Sequence, residues 1–379
     1  MSAKDEVDCE YLSEDSLAAL NYQQQLIFAE FWEQWLTWIR EKGKKPARHI
    51  GYSASNVRPL ARRVYQVFAY YWNWDKIILE LTQEAADHYL EKVDRGDITT
   101  QRENEYAEPS KSKFRGALKA YFKYKGVDWT PEISFSKSEP ANSSDPFTQR
   151  ERELLLDAAL EYKSPPTYAN VTPEERDRWN AWIAQDLGKP KAEVTPEDWE
   201  TLSRSWKIPS LISSALDAGW RAAMVDRLNV AQINKEKGKV IIPPGKAVKN
   251  DAEWKNELST RTTKILRKWL SQRKNKEKYD DSAAVWLNRK GNRYNSKTLN
   301  RLLRNLMDNA GIEANGRKLT WHSIRHSTGM YLYERYGDLG IVAEVLRHQS
   351  LESARKYAHP TPESKQSAIE EIQGNRLED

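Results

Sequence analysis

The sequence holds a single cysteine, Cys9, among 379 residues. That excludes an intramolecular disulfide and any cysteine-based zinc site. It lacks an apolar run of the roughly 20 residues that a helix needs to cross a bilayer. Its opening residues, MSAKDEVDCEYL, are acidic and have no apolar stretch, so they do not read as a secretory signal. No GxxxxGK[ST] loop is present to cradle a nucleotide's phosphates, and there is no acidic metal cluster. The 6 histidines show no paired-ligand spacing, so no metal site is expected. These absences predict a cytoplasmic protein with no cofactor and no membrane partner.

Hydrophobic residues make up 39% of the chain and tryptophan accounts for 15 positions, which excludes wholesale disorder. The length exceeds one comfortable core and predicts about two domains. Lys plus Arg number 60 against 55 Asp plus Glu, a net of only +5. The distribution is more informative than the sum. Residues 231–310 carry about +12, residues 151–200 about −6 and the first twenty about −5. A basic block in a near-neutral chain suggests a surface for a polyanion, with a solvated lysine-rich face as the plain alternative.

Residues 24–40, QQLIFAEFWEQWLTWIR, set Phe28, Phe31, Trp32, Trp35, Trp38 and Ile39 at helical spacing. Further helices are predicted over 54–72, over 82–95 with Gly96 as stop signal, and over 110–125. The last turns Phe114, Leu118, Tyr121 and Phe122 inward, with Lys111, Lys113, Arg115 and Lys119 elsewhere on its surface. Residues 133–147, ISFSKSEPANSSDPF, are rich in Ser and Pro and lack periodicity, the marks of a linker. Thr148 and Glu151 then fit a capping box ahead of the apolar run LLLDAAL. The acidic, Pro-rich stretch 163–208 reads as an insertion without chemistry. Residues 209–230 read as one helix. KGKVIIPPGKAVK and EWKNELS read as two short strands, with NDA as a turn between them. Residues 260–273 and 296–310 read as basic amphipathic helices. The expected fold is mainly α with a small antiparallel sheet. Its expected parts are an acidic tail (1–15), a helical domain (16–132), the linker (133–147), a second domain (148–360) and a tail (361–379).

Chemistry gathers in the last sixty residues. LTWHSIRHSTG places His322 and Arg325 three apart, so they share a helix face. Thr320 is set to cap that helix and Gly337 to end it. HQSLESARKYAH places Tyr357 nine residues after His348, with Ser350 and Ser353 able to start a short helix between them. Taken singly, each residue has a plain structural reading: a surface pair, a carboxylate-bound arginine, a core tyrosine.

Together, the residues resemble the tyrosine recombinases, or phage-type integrases, with archaeal and archaeal-virus integrases nearest in character. The family pattern is His-x-x-Arg, then Leu-Gly-His, then Tyr nine residues on. Here it reads HSIR, LRH and Tyr357. The family's first arginine follows a Thr-Gly-Leu-type turn inside a helix, and DAGWR matches it, which nominates Arg221. Its catalytic lysine lies near a hairpin turn, and IIPPGK nominates Lys246, with Lys249 the rival and Lys255 third. The helical first domain resembles the family's SAM-like core-binding domain, so the resemblance covers most of the chain and implies a C-shaped DNA clamp. Two departures stand out. Met224 occupies a position where many members have Glu, and Arg347 replaces the glycine before His348. His326 and His359 are left unassigned, and His49 and His88 read as structural.

The resemblance implies site-specific cleavage and rejoining of duplex DNA through a 3′-phosphotyrosyl bond, without ATP or metal. Arg221 and Arg325 would clamp the phosphate, Tyr357 attack it, His322 and His348 assist, and Lys246 protonate the leaving oxygen. Lys111, Lys113, Arg115, Arg289, Lys290, Arg293, Lys297, Arg301 and Arg304 are candidate DNA contacts. Self-assembly to a tetramer on a recombination site is implied, with residues 363–373 as a segment passed to a neighbour. A directionality or accessory protein is a further partner class. The alternatives are type IB topoisomerase-like cleavage without exchange, and a DNA-binding relative without catalysis.

Overall fold

The computed structural model describes residues 10–12, 17–73, 77–135, 144–162, 166–201, 205–243, 253–348 and 350–373. The chain divides into two compact units, Met1–Ala141 and Asn142–Asp379, each with its own core.

The first unit is four helices: α1 (Tyr22–Glu41), α2 (Ala54–Trp72), α3 (Gln83–Asp94) and α4 (Glu108–Tyr124). Asn21 and Gln24 close a capping box that starts α1. Thr82 caps α3 through the Ala85 amide. The aromatic spacing read from the sequence becomes the core. Phe28 meets Phe68 and Trp72 edge-on at 5.1 and 4.8 Å, and Phe31 meets Tyr121 at 6.0 Å. Each such pair contributes about 0.5–1.5 kcal/mol beyond its buried area.

The second unit is organised on α8 (Lys207–Ala218), which is buried on nearly every side and packs against α5 (Gln149–Glu161), α10 (Thr260–Arg273) and α12 (Trp321–Tyr336). A helix apolar all round belongs at the centre of a layered core. The capping box of Thr148 and Glu151 is present at the start of α5. Arg317 holds the Glu151 carboxylate and so ties that cap to the chain entering α12. Between α5 and α8 lie α6 (Pro173–Leu187) and α7 (Pro196–Thr201), with a small core of Trp179, Ile183 and Trp199.

The sheet has order β1-β2-β3, all antiparallel, from Ile233–Asn234, Lys239–Ile242 and Trp254–Glu257. Val240 pairs with Asn256 and Ile242 with Trp254, so alternate residues of both strands enter the core. β1 is too short for a period-2 signal, and the sequence reading lacks it. The expected turn NDA, like Lys246 and Lys249, lies outside the described residues. Further helices include α11 (Ser296–Ala310), α13 (Leu339–Leu346) and α14 (Pro362–Gln373). Among the described residues, no helix is long and apolar enough to cross a membrane.

One expectation is corrected. Residues 209–230 do not form one helix: α8 ends at Gly219, and α9 (Ala222–Arg227) starts after Arg221. Gly219 adopts φ +56, which glycine tolerates and other residues resist. A Cβ there would stand 2.5 Å from Leu346 Cδ2. Trp220 behind it is fully buried and donates to Asn256 at 3.2 Å, and its carbonyl accepts from Trp321 Nε1 at 2.9 Å. The break is therefore locked from both sides. Gly219→Ala should cost about 1–3 kcal/mol through overpacking and backbone strain. A lower denaturant midpoint at unchanged slope is the expected reading, and an unshifted midpoint would refute it.

Candidate active site

The break after α8 sets Arg221 at the N-cap of α9, half-buried. The cap of Thr320 on the His322 amide, at 3.2 Å, starts α12. His322 then falls in its first turn and Arg325 one turn on. Arg325 is only 1% exposed. Its guanidinium donates to the Gly219 carbonyl at 2.9 Å and to the Leu346 carbonyl. Its Nε has no partner among the described residues. α13 ends at Leu346, and the chain turns through Arg347 at φ +52 before His348. That is the left-handed position at which a helix end favours glycine. The family's glycine there has a backbone reason, and this chain bears the strain with an arginine. The side chain of Arg347 lies over the Trp254 ring at 5.4 Å.

Tyr357 ends a 3-10 turn, Arg355–Tyr357, and is fully buried. Its ring is stacked on His348 at 5.5 Å with planes 8° apart, and His326 meets it edge-on at 5.2 Å. Gly329 of α12 supplies the floor: a Cβ there would lie 2.6 Å from the ring. The phenol oxygen has no hydrogen-bond partner within normal geometry among the described residues. Burial raises the phenol above its usual pKa, while the guanidiniums of Arg325 and Arg221 pull it back.

Electrostatically the described residues of the site gather cations. A cleft with room for about one water is lined by Arg221, Met224, Trp254, Arg325 and Arg347. Among the described residues no carboxylate lines it, and Met224 is buried at its edge. Burial and the neighbouring Arg221 lower Arg325 to about 10. Burial and nearby cations lower His322 and His326 to about 4, and His348 to about 3. All three imidazoles are neutral at neutral pH.

Arg221, His322, Arg325, His348 and Tyr357 are thus brought together. Lys246 and Lys249 fall outside the described residues. Lys255 is on β3, exposed, and paired with Glu253 at 2.8 Å. Of the candidate DNA contacts, Lys113, Arg289, Lys290, Lys297, Arg301 and Arg304 are exposed, and Arg115 is half-buried. Two are otherwise engaged. Lys111 is buried, and its ammonium pairs with Asp94 at 2.9 Å and Glu108 at 3.1 Å, joining α4 to the end of α3. Arg293 donates to the Asp226 carbonyl and Asn229 Oδ1, both at 2.6 Å, and so braces the segment after α9. Formal charge in a sequence does not distinguish such cations from free ones.

Sequence reasoning also missed residues. Arg152 is half-buried behind α12, where it donates to Ser327, Thr328 and the Leu216 carbonyl at 2.7–3.1 Å. Nothing in the sequence marks it. Gly329 could have been flagged as an isolated glycine inside a helical pattern. Arg58, Arg62 and Arg63 of α2 line a cavity of about 330 Å³ with Tyr106 and Phe114, and their spacing on one face was legible.

Residues 199–364 match the Phage integrase family. Tyrosine recombinase XerA of Pyrococcus furiosus is 31% identical over 259 residues, covering 67% of this chain and 71% of that protein. Tyrosine recombinase XerC of Chlamydia trachomatis is 28% identical over 129 residues, 33% of this chain and 40% of its own. Among solved structures, the XerH site-specific recombinase bound to palindromic difH substrate superposes with TM-score 0.55 at 18% identity, covering 93% of this chain and 89% of that one. The Tn1549 transposon integrase in complex with transposon right end DNA gives TM-score 0.52 at 12% identity, covering 89% and 99%. The fold is that of a tyrosine recombinase. The chain belongs to this family of enzymes.

The depressed imidazoles predict a pH effect on stability. An unburied histidine takes its proton near 6.5, whereas His326 resists until about 4. As pH falls from 6.5 to 4 the unfolded chain gains protons that the folded site refuses, so stability falls; above 6.5 neither state is charged and the effect vanishes. The urea midpoint of His326→Gln should decline less across that window than the wild type's. Equal declines would contradict the lowered value.

Proposed function

We propose that the protein is a site-specific DNA recombinase that cleaves and rejoins duplex DNA through a 3′-phosphotyrosyl intermediate. One observation supports this above the others: among the described residues, a buried phenol with no partner in normal hydrogen-bond geometry lies in the field of two guanidiniums, Arg221 and Arg325, with no carboxylate lining their cleft. A scissile phosphate is the anion that completes such a site. Its non-bridging oxygens would take paired donors from Arg221 and Arg325, whose charge matches the negative charge growing in the transition state.

The Tyr357 oxygen attacks phosphorus and its proton passes to His322, which is neutral at rest and gains affinity for a proton once the phosphate's negative charge joins the surrounding cations. The bond from phosphorus to the 5′ oxygen breaks. That oxygen takes a proton from Lys246, the general acid of this reading. Lys255 is the weaker candidate because Glu253 already holds it. His348 donates to the phosphate while its ring supports the nucleophile's. The phosphotyrosyl ester retains the energy of the broken phosphodiester, so the reverse attack by a 5′ hydroxyl rejoins the strand without ATP.

Exposed cations of α11 (Lys297, Arg301 and Arg304) and the preceding Arg289 and Lys290 supply backbone contacts in this reading, as do Lys113 and Arg115 of α4. Strand exchange requires more than one protomer, and α14 is the segment proposed to pass between them. Its first turn is anchored within its own chain: Glu363 accepts from Tyr331 at 2.8 Å, and buried Thr361 pairs with Glu334. Ile369 beyond it is 57% exposed.

Two experiments test this. On nicked suicide duplexes drawn from DNA that the wild type traps, the wild type should form a covalent adduct and Tyr357→Phe none. Arg325→Ala should slow adduct formation by a factor on the order of 100–1,000. An adduct that survives Tyr357→Phe sinks the assignment. Truncation after Lys365, which keeps the anchor, should leave adduct formation intact and abolish assembly of paired duplexes. Loss of adduct formation on truncation, or unimpaired pairing, would count against α14 as the exchanged segment.

A further inference from the structure

A second cationic cavity in the same unit shares no lining residue with the cleft between Arg221 and Arg325. It measures about 270 Å³ and opens where α8 begins. Lys207 forms its floor and is only 8% exposed, beside buried Tyr294. Lys278, Arg289 and Arg301 stand exposed around it, and Tyr162 adds a second aromatic wall. Among the described residues no acidic side chain lines it. The Lys207 ammonium has no hydrogen bond or ion pair to a described residue. Burial lowers it to about 7, and Lys278 and Lys276 add to the effect. A buried ammonium facing other cations destabilises the fold unless an anion joins it.

The inserted helices, which carry no evident chemistry in the sequence, hold this site together. Arg178 of α6 pairs with Asp280 at 2.7 Å, Glu175 accepts from the Glu277 amide at 3.3 Å, and Thr172 bonds to Glu277. Lys276 lies over the Trp179 ring at 5.2 Å. The turn that presents Lys278 is thus fixed to α6 at four points.

We propose that this cavity binds one backbone phosphate of duplex DNA with its adjoining sugar, Lys207 reaching the phosphate from beneath and Lys278, Arg289 and Arg301 closing around it. The cavity is larger than an oxyanion alone requires, and the two tyrosines offer the sugar an apolar wall. Both features favour a sugar-phosphate over a free ion. The inference rests on the DNA-cleaving reading above.

The test compares Tyr357→Phe protein with the Tyr357→Phe/Lys207→Met double variant on a random-sequence duplex over a salt series. Loss of one phosphate contact should flatten the slope of log K against log salt by about 0.9, so the parent's advantage shrinks about 3.5-fold between 50 and 200 mM salt. Lys207→Arg should restore the slope. The melting temperature should hold or rise in Lys207→Met, because an unpaired buried charge is removed. Equal slopes, or weaker binding accompanied by a lower melting temperature, would overturn the proposal; the latter marks a structural lysine. Titration with inorganic phosphate separates the sources. Phosphate binding that needs Lys207, with equal DNA slopes, makes the ligand a free phosphate and overturns the backbone assignment. A wild type that forms covalent adducts while the slopes coincide loses only this inference; one that forms none loses the DNA-cleaving reading itself.

Discussion

A buried guanidinium with no carboxylate partner among the described residues governs the second unit of this protein. Arg325 is held by two carbonyl oxygens, from Gly219 and Leu346. Carbonyl dipoles fix its orientation without cancelling its charge. A carboxylate would stabilise the resting fold more, and would leave less field for a phosphate. The folding of three segments follows from supplying those acceptors. α8 must break at Gly219 to expose one carbonyl, α13 must end at Leu346 to expose the other, and α12 must be capped so that the arginine lies between them. Met224 completes the arrangement by keeping an acid away from the cleft.

The nucleophile's setting follows the same logic. Tyr357 rests in a slot made of Gly329 and two imidazole rings, and its hydroxyl has no partner in normal hydrogen-bond geometry among the described residues. An orphaned buried hydroxyl costs about 1–3 kcal/mol, which makes the resting site responsive to an incoming anion. The neutral imidazoles add no further positive charge to an already cationic site. Arg152 holds α12 from behind through Ser327 and Thr328, on the side away from the reaction, so the helix that carries His322 and Arg325 is fixed on both faces.

Charge was the least transferable part of the sequence reading. The basic block is real, but its members differ in use. Arg293 braces a backbone turn, and Lys111, outside the block, closes an ion pair between helices. Lys207 had no motif to mark it, yet it is a buried cation that lacks an ion pair among the described residues. Whether a lysine faces an acid, a carbonyl or an empty cavity depends on neighbours remote in sequence.

The sequence by itself determined what local physics determines. Apolar spacing set α1–α4, α10 and α11 nearly to their ends, capping residues set the starts of α5 and α12, and the ordered run Arg221, His322, Arg325, His348, Tyr357 named the family. Tertiary structure alone decided the rest. At Gly219 the sequence offered a turn inside a helix and not a helix end, because residues 209–230 keep an apolar helical pattern across it; the close approach of Leu346 and the lock by Trp220 and Trp321 enforce the break. The glycine-like backbone of Arg347, the slot at Gly329 and the pairing of Lys111 likewise arise from contacts between segments distant along the chain. Periodicity and capping act within a few residues and can be read in one dimension. Burial, desolvation and the partner of each charge exist only once the elements are packed.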